Sequence, residues 1–254
     1  MTILTETTEA VARIQIARPE RKNAITMDMY AALADALVAA EADASVRVVL
    51  LHGQPDVFSA GNDVEDFLRA PPLPQDAPVF RFMSALSGAA KPVVAAVNGV
   101  AVGIGTTLLL HCDLVYCADD SRFSLPFVNL ALCPEFGCSL LLPLSAGYHR
   151  AAEKLLLGEP ASAEEALEMG LVTRILPPHE VLAHARRQCA RLAGLPPAAL
   201  RETKRLLKAG WREATMRTMA DENATFTRLM RSPEAREAFS AFMERRAPDF
   251  SKFA

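Results

Sequence analysis

The chain has 254 residues, of which 51% are hydrophobic and 22% are charged. This composition excludes disordered and fibrous proteins, and the length allows one substantial core, with room for two lobes that share it. The 27 Lys and Arg residues nearly balance the 30 Asp and Glu residues. Without a basic surplus, neither a nucleic-acid partner nor binding to an anionic membrane surface is expected, and a small-molecule partner is favoured.

The sequence contains no pattern typical of export, a membrane span or a metal site. The first twenty residues carry several charges and lack the apolar run of about 7–15 residues that a secretory signal needs. The most apolar stretch, 125–144, is interrupted by prolines and a glutamate. The five cysteines form no C-x-x-C pair, which favours reduced thiols. We therefore expect a soluble, cytoplasmic protein without a metal.

The N-terminal elements read as strand, helix and strand. Loose apolar alternation predicts a strand over Ala10–Ile16, and Arg18-Pro19 then predicts a turn. Thr26 is a suitable N-cap for a helix whose apolar residues recur at helical spacing through about Ala42. A short apolar strand over Val46–Leu51 follows, which completes a strand-helix-strand order.

The middle of the chain repeats this alternation after a proline-rich segment, Arg69 to Pro78, which predicts a mobile flap. Strands alternating with helices predict an α/β fold with short connections. The predicted elements after the flap are a helix over Phe80–Leu86, a strand over Lys91–Val97, a glycine-broken run over Gly99–Gly105, a helix over Thr106–Cys112 and a strand over Asp113–Cys117.

Beyond Pro196-Pro197 the pattern changes to amphipathic helices with basic polar faces. We expect residues 1–196 to form the α/β body and residues 197–254 to form a helical lobe that packs on the body or on another subunit. The predicted helices are Leu200–Ala209, Trp211–Met230 and Pro233–Arg246.

Glu135 is the only acidic or basic side chain within the apolar stretch 125–144. A poorly solvated carboxyl has a raised pKa, which suits a group that exchanges protons near neutral pH. The alternative is a solvated acid in the first turn of a helix after Pro134, where the helix dipole favours negative charge. The local sequence leaves both interpretations open.

Two loops, Phe58–Asp63 and Gly99–Gly105, each join an apolar strand to a predicted helix. Their backbone N–H groups are suited to binding a ligand carbonyl or anion, and two such donors make an oxyanion hole. The alternative is that the glycines only permit tight turns. The G-x-G-x-x-G spacing of dinucleotide sites is absent, and no nucleophile-elbow serine accompanies the five histidines, which are expected to be surface or structural residues.

Four stretches, in this order and over nearly the whole chain, resemble signature segments of the crotonase (enoyl-CoA hydratase/isomerase) superfamily. They are Ala17-Arg18-Pro19 with Asn23-Ala24, Ser59-Ala60-Gly61-Asn62-Asp63, Lys91-Pro92-Val93-Val94-Ala95-Ala96-Val97-Asn98-Gly99, and Ala166-Leu167-Glu168-Met169-Gly170-Leu171-Val172.

This resemblance implies a spiral of β-β-α turns and a C-terminal helical lobe that forms a homotrimer or a dimer of trimers. It also implies an acyl-CoA thioester substrate, with coenzyme A as part of the substrate and no separate cofactor. The thioester oxygen would bind the backbone N–H groups of Asn62 and Ile104. The neighbouring loop residues expected at the substrate are Ala60, Gly61, Asp63 and Gly103.

The catalytic acids of typical hydratases do not match this chain. The position two residues after the last glycine of the second loop is Thr107, and the residue after Leu125-Pro126 is Phe127, which we expect at the substrate. Instead, the segment from Leu132 to Ser139 resembles the peroxisomal type of Δ3,Δ2-enoyl-CoA isomerase, in which a Pro-Glu pair supplies the base. The resemblance therefore implies that Glu135 is the single catalytic carboxylate.

The phosphates of coenzyme A need cations, and Arg21 and Lys22 are candidates, with Lys252 contributing from a neighbouring subunit. Ordinary solvated charges are the alternative for all three. Two other functions remain: another crotonase reaction that uses Glu135, such as hydration, and a catalytically silent acyl-CoA-binding protein.

Overall fold

The computed structural model describes residues 2–69 and 76–253. The strands within these ranges are β1 (Ile3–Thr8), β2 (Val11–Ile16), β3 (Val48–His52), β4 (Val57–Ser59), β5 (Val93–Val97), β6 (Val100–Val102), β7 (Leu114–Ala118), β8 (Arg122–Ser124), β9 (Ala161–Ser162) and β10 (Arg174–Leu176).

The α-helices within the same ranges are α1 (Met27–Ala42), α2 (Val64–Arg69), α3 (Pro78–Gly88), α4 (Ile104–Thr107), α5 (Cys138–Ala146), α6 (Tyr148–Leu157), α7 (Ala163–Glu168), α8 (Val181–Ala193), α9 (Pro197–Ala209), α10 (Arg212–Leu229) and α11 (Pro233–Glu244). Short 3-10 helices lie at Pro19–Arg21, Leu108–His111, Val128–Leu130 and Pro178–Glu180. None of the described helices is both long and apolar enough to cross a bilayer.

The strands form two sheets, and successive strands from β3 to β8 alternate between them. The larger sheet has the order β1-β2-β3-β5-β7-β10, in which only the pairing of β1 with β2 is antiparallel. The smaller sheet has the order β4-β6-β8-β9 and is parallel except at β9. The strand pairs β3-β4, β5-β6 and β7-β8 are each followed by helical structure, so the predicted spiral of β-β-α turns is confirmed.

Both faces of the larger sheet are buried, which explains why its central strands are continuous apolar runs. Alternate residues of β3 reach different cores: Val49 and Leu51 join the cluster under α1 and α3, whereas Val48 and Leu50 join the cluster under α8. The predicted cap of α1 is confirmed, because the Thr26 side chain accepts a hydrogen bond from the Met29 N–H.

The first strand was not expected from the sequence. In β1 only Ile3 is buried, so it shows no apolar alternation, and its hairpin turn uses Glu9 and Ala10 at positive φ instead of glycine. The predicted helix over Thr106–Cys112 is also wrong as one element, because α4 continues into a 3-10 helix that ends at His111. The core of the predicted flap, residues 70–75, lies outside the described residues.

The C-terminal helices were predicted correctly, and α10 and α11 pack on the body of the same chain. Phe226 of α10 and Phe239 of α11 share a buried cluster with Leu125, Phe127 and Leu142 of the body. This cluster surrounds the apolar stretch that carries Glu135. The helical lobe is therefore part of the environment of the candidate base.

Candidate active site

Two glycine-containing loops lie against each other at one edge of the smaller sheet. They follow β4 and β6, which are parallel neighbours whose carboxyl ends meet at that edge. Gly61 has a φ of +90°, and a Cβ on it would lie 2.8 Å from the Val102 carbonyl oxygen. A Cβ on Gly105 would lie 3.0 Å from Ser59 Cβ. The glycines therefore permit close contact between the loops as well as tight turns.

Two backbone N–H groups in these loops, those of Asn62 and Ile104, have no hydrogen-bond acceptor among the described residues. Ile104 begins α4, and the first N–H groups of a helix have no acceptor within it. Asn62 lies at an isolated parallel bridge, in which Ile25 N–H donates to Gly61 O and Asp63 N–H donates to Ile25 O. This pairing leaves the Asn62 N–H on the other side of the strand.

Tyr30 connects the Asn62 loop to the surroundings of Glu135. Its hydroxyl donates to Asn62 Oδ1 at 2.5 Å. Burial and, second, the negative charge of Glu135 raise the pKa of Tyr30 well above its ordinary value. The Tyr30 ring is 5.6 Å from that of Phe82, which is 6.0 Å from that of Phe136. A row of aromatic rings thus leads from the loop to the residue after Glu135.

Glu135 is a buried carboxyl, with 5% of its surface exposed. Its Oε1 is buried and has no hydrogen-bond partner within the described ranges. The Glu135 pKa is raised to about 8, mainly by burial and secondly by the charge of Glu222. The alternative of a solvated acid in a helical turn is wrong, because Glu135 is buried and precedes the start of α5 at Cys138.

The segment that carries Glu135 has an unusual backbone held by a buried histidine. Phe136 has a φ of +62° and Gly137 a φ of +73°, and for a non-glycine residue the left-handed region costs roughly 1–2 kcal/mol. His111 stacks on Phe136 with 4.0 Å between ring centroids, and its Nε2 lies 2.7 Å from the Phe136 carbonyl oxygen. Because burial lowers the His111 pKa to about 4, the neutral ring donates from Nε2. His111 is structural, as predicted.

A second carboxyl, Glu222 of α10, binds the same segment. Its Oε2 accepts from Gly137 N–H at 2.5 Å, and its Oε1 accepts from Ser139 N–H at 2.8 Å and Ser139 Oγ at 2.6 Å. The carboxylate therefore satisfies backbone N–H groups at the start of α5, which have no acceptor within the helix. It ties the C-terminal lobe to the loop of Glu135.

The loop residues predicted at the substrate have different roles in the structure. Ala60 N–H donates to Lys22 O, and Gly103 N–H donates to Ser124 O, so these two residues fix the loops. Asp63 is buried, and its carboxylate accepts from Arg18 Nη1 at 2.7 Å. The Asp63 side chain is therefore engaged in an ion pair that holds the first loop.

Neither position of the hydratase acids can supply a carboxylate. Thr107 is fully buried on α4, and its hydroxyl has no hydrogen-bond partner in the described part of the chain. Phe127 is buried in the cluster that joins the body to α10 and α11. Glu135 is therefore without a second acid at either of these positions.

The cations predicted to bind coenzyme A lie in two places. Lys22 is exposed next to the first loop, and Arg21 beside it is 3.3 Å from Glu65. Lys252 is 3.0 Å from Glu237 of α11, so within its own chain it is bound to the helical lobe. The structure brings Arg21 and Lys22 to the loops, and it places Lys252 with the helical lobe.

Sequence reasoning missed Tyr30 and Glu222. A signal for Glu222 exists, because it falls at helical spacing with the buried residues Thr215, Met219 and Phe226. An acid on the apolar face of a helix needs buried partners, and here the partners are the N–H groups of Gly137 and Ser139, which follow Glu135 at the start of α5. Tyr30 likewise lies on the buried face of α1.

Comparisons with known proteins agree with this architecture. The family model of enoyl-CoA hydratase/isomerase matches residues 6–252. The 1,2-epoxyphenylacetyl-CoA isomerase of Escherichia coli is 37% identical, with 98% of both chains covered. The human enoyl-CoA delta isomerase 2 is 33% identical over 97% of this chain and 64% of its own. The structure of Pseudomonas aeruginosa OdaA has a TM-score of 0.94 at 50% identity, covering 96% of this chain and 99% of that one. Curated hydratases match as well.

The fold and the match over almost the whole length define an enzyme of the crotonase type. The chain belongs to the enoyl-CoA hydratase/isomerase family. Because both isomerases and hydratases are among its relatives, the family by itself does not specify the reaction.

Proposed function

We propose that the protein is a Δ3,Δ2-enoyl-CoA isomerase that converts 3-enoyl-CoA into 2-trans-enoyl-CoA with Glu135 as its only proton shuttle. The observation that carries this proposal is a buried carboxyl of raised pKa whose charge acts on Tyr30, while Tyr30 holds the loop in which the Asn62 N–H has no acceptor among the described residues. Thr107 and Phe127 occupy the two hydratase acid positions, and a hydratase needs those acids to hold its water.

The proposed reaction uses two backbone donors and one carboxylate. The N–H groups of Asn62 and Ile104 bind the thioester oxygen and stabilise the negative charge that develops on it. The Glu135 carboxylate removes a proton from C2, and the electrons of the broken C–H bond enter a dienolate. The resulting carboxylic acid returns the proton to C4, which moves the double bond from C3 to C2. The carboxylate is regenerated, so no second acid is required.

The phosphates of coenzyme A are proposed to lie near Arg21 and Lys22, beside the first loop. Support comes from the hydrogen bond between Lys22 O and Ala60 N–H, which fixes this turn to the loop that would hold the thioester. Lys252 is proposed to contribute only across a subunit boundary, since in its own chain it pairs with Glu237.

Hydration of 2-enoyl-CoA should be much slower than isomerisation of 3-enoyl-CoA, because neither Thr107 nor Phe127 can polarise water as a carboxylate does. The test compares 3-cis and 3-trans substrates of several chain lengths with 2-trans-enoyl-CoA in a hydratase assay. The panel also includes 1,2-epoxyphenylacetyl-CoA, the substrate named for a relative of 37% identity. Equal or faster hydration, or turnover of the epoxide alone, would replace the proposal with another crotonase reaction.

We also propose a homotrimer or a dimer of trimers, assembled through the C-terminal lobe. Support comes from large apolar side chains that α9, α10 and α11 leave more than half exposed in the single chain: Leu206, Leu207, Met216 and Phe242. Such a surface is typical of a protein interface. Light scattering at micromolar concentration should give a mass of three or six chains, and a monomer would contradict the proposal.

A further inference from the structure

Glu222 is a buried acid whose two oxygens are both bonded to the segment that follows Glu135. Its partners are Gly137 N–H, Ser139 N–H and the Ser139 hydroxyl, at 2.5 to 2.8 Å. With both oxygens bound to its own chain, Glu222 is not placed to exchange a proton with a substrate. Its geometry is that of a residue that acts on Glu135 through the chain and through its charge.

We propose that Glu222 is a positioning residue for Glu135: it clamps the 136–139 backbone from the C-terminal lobe and holds a negative charge close to the base. This inference rests on the proposed function of Glu135 as the proton shuttle. It gives the helical lobe a part in catalysis within the single chain.

The clamp is needed because the backbone beside Glu135 is strained. Phe136 and Gly137 are successive residues at positive φ, and such a conformation persists only where its surroundings specify it. His111 fixes the Phe136 carbonyl from one side. Glu222 fixes the N–H groups of Gly137 and Ser139 from the other. Loss of Glu222 would leave these N–H groups without a partner and would allow the Glu135 side chain to shift.

The charge of Glu222 acts on the same carboxyl. Burial raises the pKa of Glu222, but its hydrogen bonds from Ser139 and Gly137 oppose that rise by favouring the ionised form. Glu135 Oε1 has no such donor among the described residues, so Glu222 is the first of the two carboxyls to lose its proton. Burial is the larger of two causes that raise the Glu135 pKa to about 8, and the charge of Glu222 is the smaller one. A like charge that opposes ionisation also makes the ionised base stronger, which favours removal of the C2 proton.

The other titratable groups around Glu135 do not change charge in the range of a useful assay, about pH 6 to 9.5. Burial raises the pKa of Cys133 to about 11 and those of Cys138 and Tyr30 well above their ordinary values. Burial lowers the pKa of His111 to about 4. A shift of the titration in this range therefore reports on the two carboxyls.

The test is Glu222→Gln, which keeps the size of the side chain and removes its charge. In the wild type, kcat/KM should rise with pH to a midpoint near 8, where Glu135 ionises. In the variant we expect this midpoint to fall by on the order of one pH unit, the effect of one lost like charge. Because the base is also weaker and less well placed, the rate at high pH should fall roughly tenfold or more, and the rate near pH 6 should fall less.

Two further variants separate charge from position. Glu222→Asp keeps the charge on a shorter side chain, so its midpoint should stay near that of the wild type while kcat falls. Asp221→Asn removes an exposed charge from the adjacent position of α10 and should leave both quantities unchanged. An unchanged midpoint in folded Glu222→Gln, or an equal shift in Asp221→Asn, would overturn the proposal.

The pH dependence of protein stability tests the same coupling between Glu222 and Glu135 without requiring isomerase activity. The folded state holds the Glu135 proton more tightly than the unfolded state, so the wild type loses stability relative to Glu135→Gln as pH rises toward about 8. This loss should be smaller in the Glu222→Gln background, as measured by thermal unfolding of the two single variants, the double variant and the wild type. An equal loss in both backgrounds would contradict the role of Glu222. If isomerase activity is absent altogether, the proposed function fails, whereas this measurement still decides the inference.

Discussion

Glu135→Gln should isomerise 3-enoyl-CoA on the order of 10²–10⁴ times more slowly than the wild type, which is the usual contribution of a positioned acid or base. Glutamine has nearly the same shape as glutamic acid but cannot take up and return a proton at neutral pH. The affinity for acyl-CoA should stay close to that of the wild type, because the N–H groups of Asn62 and Ile104 are untouched. Steady-state kinetics and a binding measurement with a saturated acyl-CoA test both statements.

The matched control is the stability of the same variant. Burial raises the Glu135 pKa to about 8, whereas an unfolded glutamate has a pKa of about 4.3. The folded state therefore binds the proton more tightly, and the contribution of this proton to stability is lost as pH rises between these two values. Glu135→Gln avoids this loss, so at pH 8 to 9 it should unfold at a temperature at least as high as the wild type. A well-folded variant with near-wild-type turnover would contradict the assignment of the base.

The parts of the fold that could be predicted from sequence are those whose apolar pattern records their burial. β3 and β5 are buried on both faces and were visible as continuous apolar runs. The hairpin partner β1 lies at the sheet edge with one buried residue, and its turn at Glu9 and Ala10 has no glycine. An edge strand that buries so little leaves almost no pattern in its own residues.

The same distinction applies to the candidate site. A long apolar stretch with a single acid indicated a buried Glu135 but left a solvated acid in a helical turn as the alternative, and the structure shows that Glu135 is buried. Its support by Glu222 depends on a contact between residues 85 positions apart. No local pattern specifies which segment a helix will meet, so only the spacing of Glu222 on the apolar face of α10 could have marked it.

The glycine-containing loops show where local sequence leaves a choice open. Tight turns and an anion-binding loop both require glycine, and Gly61 serves a turn at positive φ while also allowing the Val102 carbonyl to approach. What distinguishes the two interpretations is whether backbone N–H groups remain without acceptors. That property depends on the bridge at Ile25 and on the start of α4, which are features of the assembled fold.

Ile104→Pro should lower turnover by about 10²–10³, the range expected for the loss of one oxyanion donor, provided that the variant folds. Proline removes the N–H group that begins α4. Because proline is tolerated in the first turn of a helix, the main effect of the substitution should be the loss of this donor and not the disruption of α4. The matched variant Ile104→Val keeps the N–H group and nearly the same volume in the buried core. Its turnover should stay within a few-fold of the wild type.

The pair of variants is informative because the proposed donor is backbone, so the size of the Ile104 side chain should matter far less than its N–H group. Gly103 and Gly105 flank this position, and circular dichroism must first establish that the proline variant is folded. Asn62→Ala is a milder test, and it addresses the position of the other loop and not its N–H donor. It keeps the N–H group but removes the Oδ1 that accepts from Tyr30, so any loss reports on loop position. A folded Ile104→Pro variant with unimpaired isomerase activity would show that this N–H group does not stabilise the dienolate, and the thioester oxygen would then need a different donor.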